Sequence, residues 1–170
     1  MHAEWFEVSA GAIDLISENI SNGIIAVGTT ALRTLESLYW MGVKTILYPG
    51  YNINDLVMNQ WDVYEDPLAG TNIPTPEALT ALLCWMKKND YERLISKTRI
   101  LIAPGYHFNL INALITNFHQ PQSTLLLLVA AAIGEDWKKV YAYALENDFR
   151  FLSYGDGSLL FLTNPPKINT

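Results

Sequence analysis

Cysteine is nearly absent from this sequence. Cys84 stands alone, so an internal disulfide framework is excluded and the chain fits a reducing compartment. Charge is also sparse. Only 16% of the 170 residues are Asp, Glu, Lys or Arg, whereas half are apolar, a composition of compact domains and not of disordered chains. Positive charge is the scarcer sign. Eleven bases face 17 acids, for a net charge of −6, which argues against wholesale nucleic-acid binding by this chain alone. Long hydrophobic runs are missing as well. Leu125 to Ile133 is the longest and is too short to span a bilayer. The opening MHAEWFEV has neither the basic nor the apolar region of a leader. A cytoplasmic protein without membrane contact is expected. Histidine occurs only at positions 2, 107 and 119, with no metal spacing, so no metal site is expected. The sequence also has no Walker loop, no G-x-G-x-x-G, no G-x-S-x-G and no H-E-x-x-H.

What is present is a regular alternation. Glu4 to Val8 reads as a short strand, and Ser9 as the cap of a helix stopped by Gly23. Ile24 to Val27 reads as a buried strand, Gly28-Thr29-Thr30 as a turn, and ALRTLESLYWMG as a helix ending at Gly42. Val43 to Leu47 then reads as a second strand. Residues 52–74 form a long loop, either functional or inserted. Thr75-Pro76-Glu77 starts a helix running to about Lys88, with Cys84 expected as a small buried hydrophobe. A short helical piece over Asp90–Ser96 and strands at Arg99–Ala103 and Ala113–Thr116 follow. Ser123 to Ile133 reads as a buried helix ended by Gly134, Asp136 caps a last helix, and RFLSYGDGSLLFL reads as a terminal strand pair. The fold class is α/β: one domain over residues 1–170 with a layered, largely parallel sheet flanked by helices and a possible antiparallel edge.

Charge is uneven along this chain. Ten acids face only Arg33 and Lys44 in residues 1–85. The one basic cluster, Lys87, Lys88, Arg93, Lys97 and Arg99, reads as a solvated helix face and loop.

Two strand-to-helix turns hold the candidate chemistry. IIAVGTTALR passes through Gly28, Thr29 and Thr30, and ALITNFHQPQSTLL passes through Thr116, Asn117 and His119 to Ser123 and Thr124. In open α/β sheets, ligands bind beyond the carboxyl ends of strands. Hydroxyls and free N–H groups at helix starts then face the ligand, and a glycine there lets it approach the backbone. Simple helix capping is the alternative for both turns. His119 is either a general acid–base or a loop histidine held by hydrogen bonds. Arg33 and Glu36 are either ligand contacts or a helix-surface ion pair. Asp156 in SYGDGS is either catalytic or a turn aspartate. Tyr154 and Phe118 either stack on a base or pack.

MHAEW, IAVGTTALRTLES, PGYHFNLINALITNFHQPQSTLLLLVAA and DFRFLSYGDGSLL resemble, in this order, the carboxyl half of the S-adenosylmethionine:tRNA ribosyltransferase-isomerase family of queuosine biosynthesis. The resemblance implies a transferase and isomerase that modifies tRNA. It moves and isomerises the ribosyl part of S-adenosylmethionine onto 7-aminomethyl-7-deazaguanine in tRNA, giving epoxyqueuosine, adenine and methionine. It implies no bound cofactor, S-adenosylmethionine being the ribosyl donor, and no metal. It also implies a smaller β-barrel domain in the amino-terminal half of the family, which this chain lacks. By match to the family blocks, His119 and Asp156 are the catalytic candidates. Gly28, Thr29, Thr30, Arg33, Glu36, Thr116, Asn117, Phe118, Ser123, Thr124, Tyr154, Gly155, His2 and Glu4 are the substrate-binding candidates. This chain has Gln120 and Gln122 where the family usually has leucine and lysine, and Asn112 where it favours an aspartate that could act as a base. The alternative reading is a truncated, non-catalytic α/β module that binds a nucleoside or a partner chain.

Overall fold

The structure is a computed structural model that describes residues 2–166; Met1 and residues 167–170, the ends of the expected domain, lie outside the described residues. In chain order the elements are β1 (Glu4–Ser9), α1 (Ala10–Asn19), β2 (Ile25–Val27), α2 (Thr29–Leu47), α3 (Thr75–Lys88), β3 (Arg93–Thr98), β4 (Ala113–Asn117), α4 (Thr124–Ile133), α5 (Asp136–Glu146) and β5 (Gly157–Phe161). This is an α/β architecture of mixed strand direction. β2 pairs parallel with β4, and β5 closes the other side of β4 as an antiparallel edge, in the order β2-β4-β5. β1 and β3 form a separate antiparallel ladder.

Among the described residues, side-chain caps start two of the five α-helices. Ser9 accepts a hydrogen bond from the Ala12 N–H at 3.2 Å, and Ser123 accepts one from Leu126 at 3.3 Å, each satisfying a donor that the helix leaves open. Thr75 behaves differently. Its hydroxyl donates to the Asn109 carbonyl at 2.8 Å, and Pro74 takes the cap position of α3. The last helix starts without a side-chain cap, and Asp136 lies in its first turn.

Gly42 does not end its helix. α2 runs straight through it for 19 residues to Leu47, and the strand expected over Val43–Leu47 is its last turn and a half. The reason is tertiary. A Cβ on Gly42 would sit 2.1 Å from the Ala78 carbonyl oxygen, so the glycine marks the line along which α2 and α3 touch backbone to backbone. Leu38, Met41, Leu79, Leu82 and Met86 close over that contact as part of the core.

Residues 90–103 also differ from expectation. The helical piece is strand β3, and the strand expected over Arg99–Ala103 is irregular chain. β3 alternates, with Leu94, Ser96 and Thr98 buried and Arg93 and Ile95 exposed, because β1 pairs with it along its whole length. Cys84 is exposed on α3. The basic cluster lies on the end of α3 and on or beside β3, where Arg93 pairs with Glu7 and Lys97 sits 5.7 Å from the Trp5 ring centroid. The loop of residues 52–74 is packed down by Leu56, Met58, Val63 and Leu68. The first half of the expected terminal strand pair is not a strand: Phe149 and Phe151 instead pack their rings on Phe118, with centroids 5.4 Å away.

The strand at Ile24–Val27 is not buried on both faces. Ala26 lies in the core with Leu114 and Leu160, beneath Leu32 of α2 and Leu128 and Val129 of α4. Ile25 and Val27 are exposed on the other face.

Candidate functional site

Parallel pairing decides which motifs meet. Because β2 and β4 run the same way, with Val27 opposite Ile115, both strands deliver their following turns to one end of the sheet. The Gly28 N–H donates to the Ile115 carbonyl at 2.8 Å, placing Gly28, Thr29 and Thr30 beside Thr116 and Asn117. β5 starts at the same end, with Gly157 opposite Asn117. The Asn117 amide donates to the Gly155 carbonyl at 3.1 Å, and the Phe118 N–H to that of Asp156 at 3.4 Å. Three blocks far apart in sequence thus share one rim.

At that rim the Thr116 hydroxyl lies 3.0 Å from His119 Nε2. The His119 main-chain N–H donates to the Tyr141 hydroxyl at 3.1 Å, and the Ser158 hydroxyl donates to the Thr116 carbonyl at 3.1 Å. Half-burial lowers the His119 pKa from its ordinary value, so the imidazole is neutral at pH 7 and able to accept a proton. Gly28 takes φ +90°, a conformation that favours glycine, and the space where its Cβ would stand is open to 4 Å. The start of α2 can therefore be approached closely from outside.

The other candidates occupy distinct settings. The Asp156 carboxylate accepts from the Arg150 N–H at 2.7 Å and from its guanidinium at 3.3 Å. The Arg150 backbone and side-chain hydrogen bonds hold the Asp156 pKa below its usual range; the side chain fixes the turn that carries Tyr154 and Gly155. Tyr154 is 98% exposed. Phe118 is buried among Tyr141, Phe149 and Phe151, so its ring packs in the protein. Ser123 caps α4 and donates to the Gln120 carbonyl at 2.8 Å; Thr124 is exposed in the first turn of α4. His2 is exposed.

Arg33 and Glu36 do not form a surface pair. Both are buried and they face different partners. Arg33 donates to the Ile100 carbonyl at 3.1 Å and pairs with Glu4, tying β1 to α2. Desolvation lowers its pKa and Glu4 opposes that shift. Arg33 Nη2 and Glu4 Oε2 are buried without a hydrogen-bond partner. The Glu36 carboxylate accepts from the Tyr106 hydroxyl at 2.8 Å, from the Leu110 N–H at 2.9 Å and from the Asn109 N–H at 2.9 Å. Full burial pushes its pKa up, against the pull of those donors. Glu36 thereby secures the loop of residues 106–110.

Asn112 sits at the opposite end of the sheet. Its Oδ1 accepts from the Ile24 N–H at 2.9 Å, just before β2 and β4 begin. A carboxylate at this position would lie at the amino ends of the strands, away from the rim, so the expected loss of a base there is a change in a strand clamp.

Tyr141, which supports the rim, lies in no motif that marks it in the sequence, and Arg150 and Ser158 lie in the DFRFLSYGDGSLL block without being singled out there. Tyr141 is 22 residues from its partner and Ser158 is 42. Two cavities lie elsewhere, of about 380 Å³ between Lys44 and Leu68 and about 1000 Å³ between Tyr39 and Phe108; neither is lined by Gly28–Thr30, Thr116–His119 or Tyr154–Asp156. At the rim Thr30 and Tyr154 are exposed and nothing lies within 4 Å of where a Gly28 Cβ would stand, so among the described residues the rim is an open shelf. Among the described residues no three His, Cys, Asp or Glu side chains group as a metal would need, and no helix is long and apolar enough to cross a membrane.

Residues 1–160 match the family described as queuosine biosynthesis protein. The chain is 40% identical over 95% of its length to the S-adenosylmethionine:tRNA ribosyltransferase-isomerase of Jannaschia sp., covering 33% of that protein. It is 32% identical over 98% of its length to the protein of the same name in Burkholderia cenocepacia, covering 36% of it. The crystal structure of the S-adenosylmethionine tRNA ribosyltransferase from Thermotoga maritima superposes with a TM-score of 0.56 at 29% identity, over 91% of this chain and 39% of that one. The chain therefore spans about a third of the length of its curated relatives. On the match over residues 1–160, this chain belongs to the queuosine biosynthesis protein family.

Proposed function

We propose that this chain is a single α/β domain carrying one wall of the active site of an S-adenosylmethionine-dependent tRNA ribosyltransferase-isomerase in the cytoplasm. The reaction would place the ribosyl group of S-adenosylmethionine on 7-aminomethyl-7-deazaguanine in tRNA and isomerise it to epoxyqueuosine, releasing adenine and methionine. Family membership supports the reaction class. The observation that carries the site is the Thr116–His119 contact at the shared strand ends. A neutral imidazole held by a hydroxyl is suited to remove a proton beside the sulfonium, whose positive charge makes that proton acidic. The N–H groups of Thr29 and Thr30 at the start of α2, beside the open Gly28, offer donors to an anionic or polar group of the substrate. Asp156 acts by orienting the Tyr154–Gly155 turn through Arg150, and Tyr154 is free to lie against a base. The tRNA surface would come mainly from the portion of the family chain that these residues do not span.

The test uses a chimera in which this chain replaces the matched 164 residues of the Jannaschia protein. His119→Ala is expected to lower adenine release from S-adenosylmethionine and tRNA by about 10²-fold or more, with an unchanged melting temperature. Undiminished release refutes the role of His119. The open shelf also suits a second reading, a non-catalytic nucleoside-binding module. S-adenosylmethionine binding by calorimetry, with no turnover in the chimera, would select it.

A further inference from the structure

The exposed face of the β2-β4-β5 sheet is apolar across all three strands. Register sets two rows on it. Ile25 and Phe161 flank the buried Ala113 in one, and Val27, Ile115 and Leu159 stand side by side in the next. Large side chains in both rows face outward: Ile25 is 51% exposed, Val27 68%, Leu159 50% and Phe161 68%. Between the rows, Ala26, Leu114 and Leu160 point to the opposite face and into the core. A mixed sheet with one wet face would alternate apolar with polar residues on its strands. These strands are apolar on both sides, the pattern of a sheet covered on both faces. Contiguous apolar surface of this kind marks an interface.

We infer that this face is the docking surface for the part of the family chain lying outside the matched region. Two observations select that occupant. The relatives are about three times the length matched here, so the family supplies a large covering segment. The patch is also continuous with the candidate site, since Val27 precedes Gly28 and Ile115 precedes Thr116. A segment packed on the two rows reaches the strand-end rim and supplies the wall that the open shelf lacks. The inference rests on the family assignment and not on the roles given to His119 or Asp156.

Carbene footprinting tests it on two proteins, the 170-residue chain and the chimera described above. Labelling of Val27, Ile115 and Phe161 is expected to fall about five-fold or more in the chimera. Labelling of Tyr143 and Leu145, exposed on α5, is expected to stay constant. In the isolated chain, Val27→Lys combined with Phe161→Glu leaves the fold intact, because both positions face solvent. In the chimera the same pair is expected to restore labelling at Ile115. Equal labelling of the three residues in both proteins overturns the inference. So does protection of these residues in the isolated chain together with a dimer in sedimentation, which would make a second copy the occupant. Adenine release is read separately, so a protected but inactive chimera retains the docking surface and removes the proposed activity.

Discussion

The α2–α3 side of the molecule and the β2-β4-β5 side are built to different standards of closure. On the first, two backbones touch at Gly42, and a buried carboxylate, Glu36, has its lone pairs occupied by the loop of residues 106–110. On the second, Ile25, Val27, Ile115, Leu159 and Phe161 are apolar and uncovered, and three motif-bearing turns meet at one rim. Both sides carry residues from the same sequence blocks. The block IAVGTTALRTLES begins at the open rim with Gly28 and reaches the closed interior by Glu36. A motif is therefore not a uniform patch of site: within one helix, its first turn can face the substrate while a position two turns on holds the scaffold.

The largest break in this contrast should come from Glu36→Ala. It would strand the Tyr106 hydroxyl and the Asn109 and Leu110 N–H groups without acceptors. At about 1–3 kcal/mol for each buried orphan, urea unfolding should show a loss of roughly 3 kcal/mol or more. A loss near zero would mean that the loop is held by other contacts. Next is Gly42→Ala. In an ordinary helix this change is favourable by about 1 kcal/mol. Here the new Cβ would meet the Ala78 backbone oxygen at 2.1 Å, so overpacking should instead cost about 1–3 kcal/mol. A stabilised variant would remove the reason given for the glycine.

The smallest effect belongs to the open side. The folded state lowers the His119 pKa from 6.5 by burial, so folding favours the neutral ring. That contribution is present above pH 6.5 and is lost as the pH falls through the folded-state pKa. The urea midpoint should therefore drop between pH 7 and pH 5, and His119→Gln should drop less. Identical pH profiles for the two proteins would show that the ring is not buried as described.

The local structure around the candidate site was partly legible in the sequence, because its signals are local. Ser9 caps as read, Ser123 caps as the alternative reading of its turn had it, and the Gly28-Thr29-Thr30 turn joins a strand to a helix as read. The partners of Glu36 were not legible, since Tyr106, Asn109 and Leu110 lie 70 to 74 residues away and their donors are mostly backbone groups. Nor was the role of Asn112 legible. Its side chain bonds to Ile24, 88 residues earlier, and only strand pairing shows which end of the sheet that is.

The sequence by itself determined the α/β alternation, the Ser9 cap and the resemblance that names the family, since hydrophobic period, capping side chains and short motifs act over a few residues. Tertiary structure alone decided that Gly42 lies within a helix and that Arg99–Ala103 is irregular while Arg93–Thr98 is strand. It also decided that Glu36 is internal and that one face of the sheet is left bare. Those outcomes depend on which distant backbone arrives at a given side chain, and neither helical nor strand periodicity carries that information.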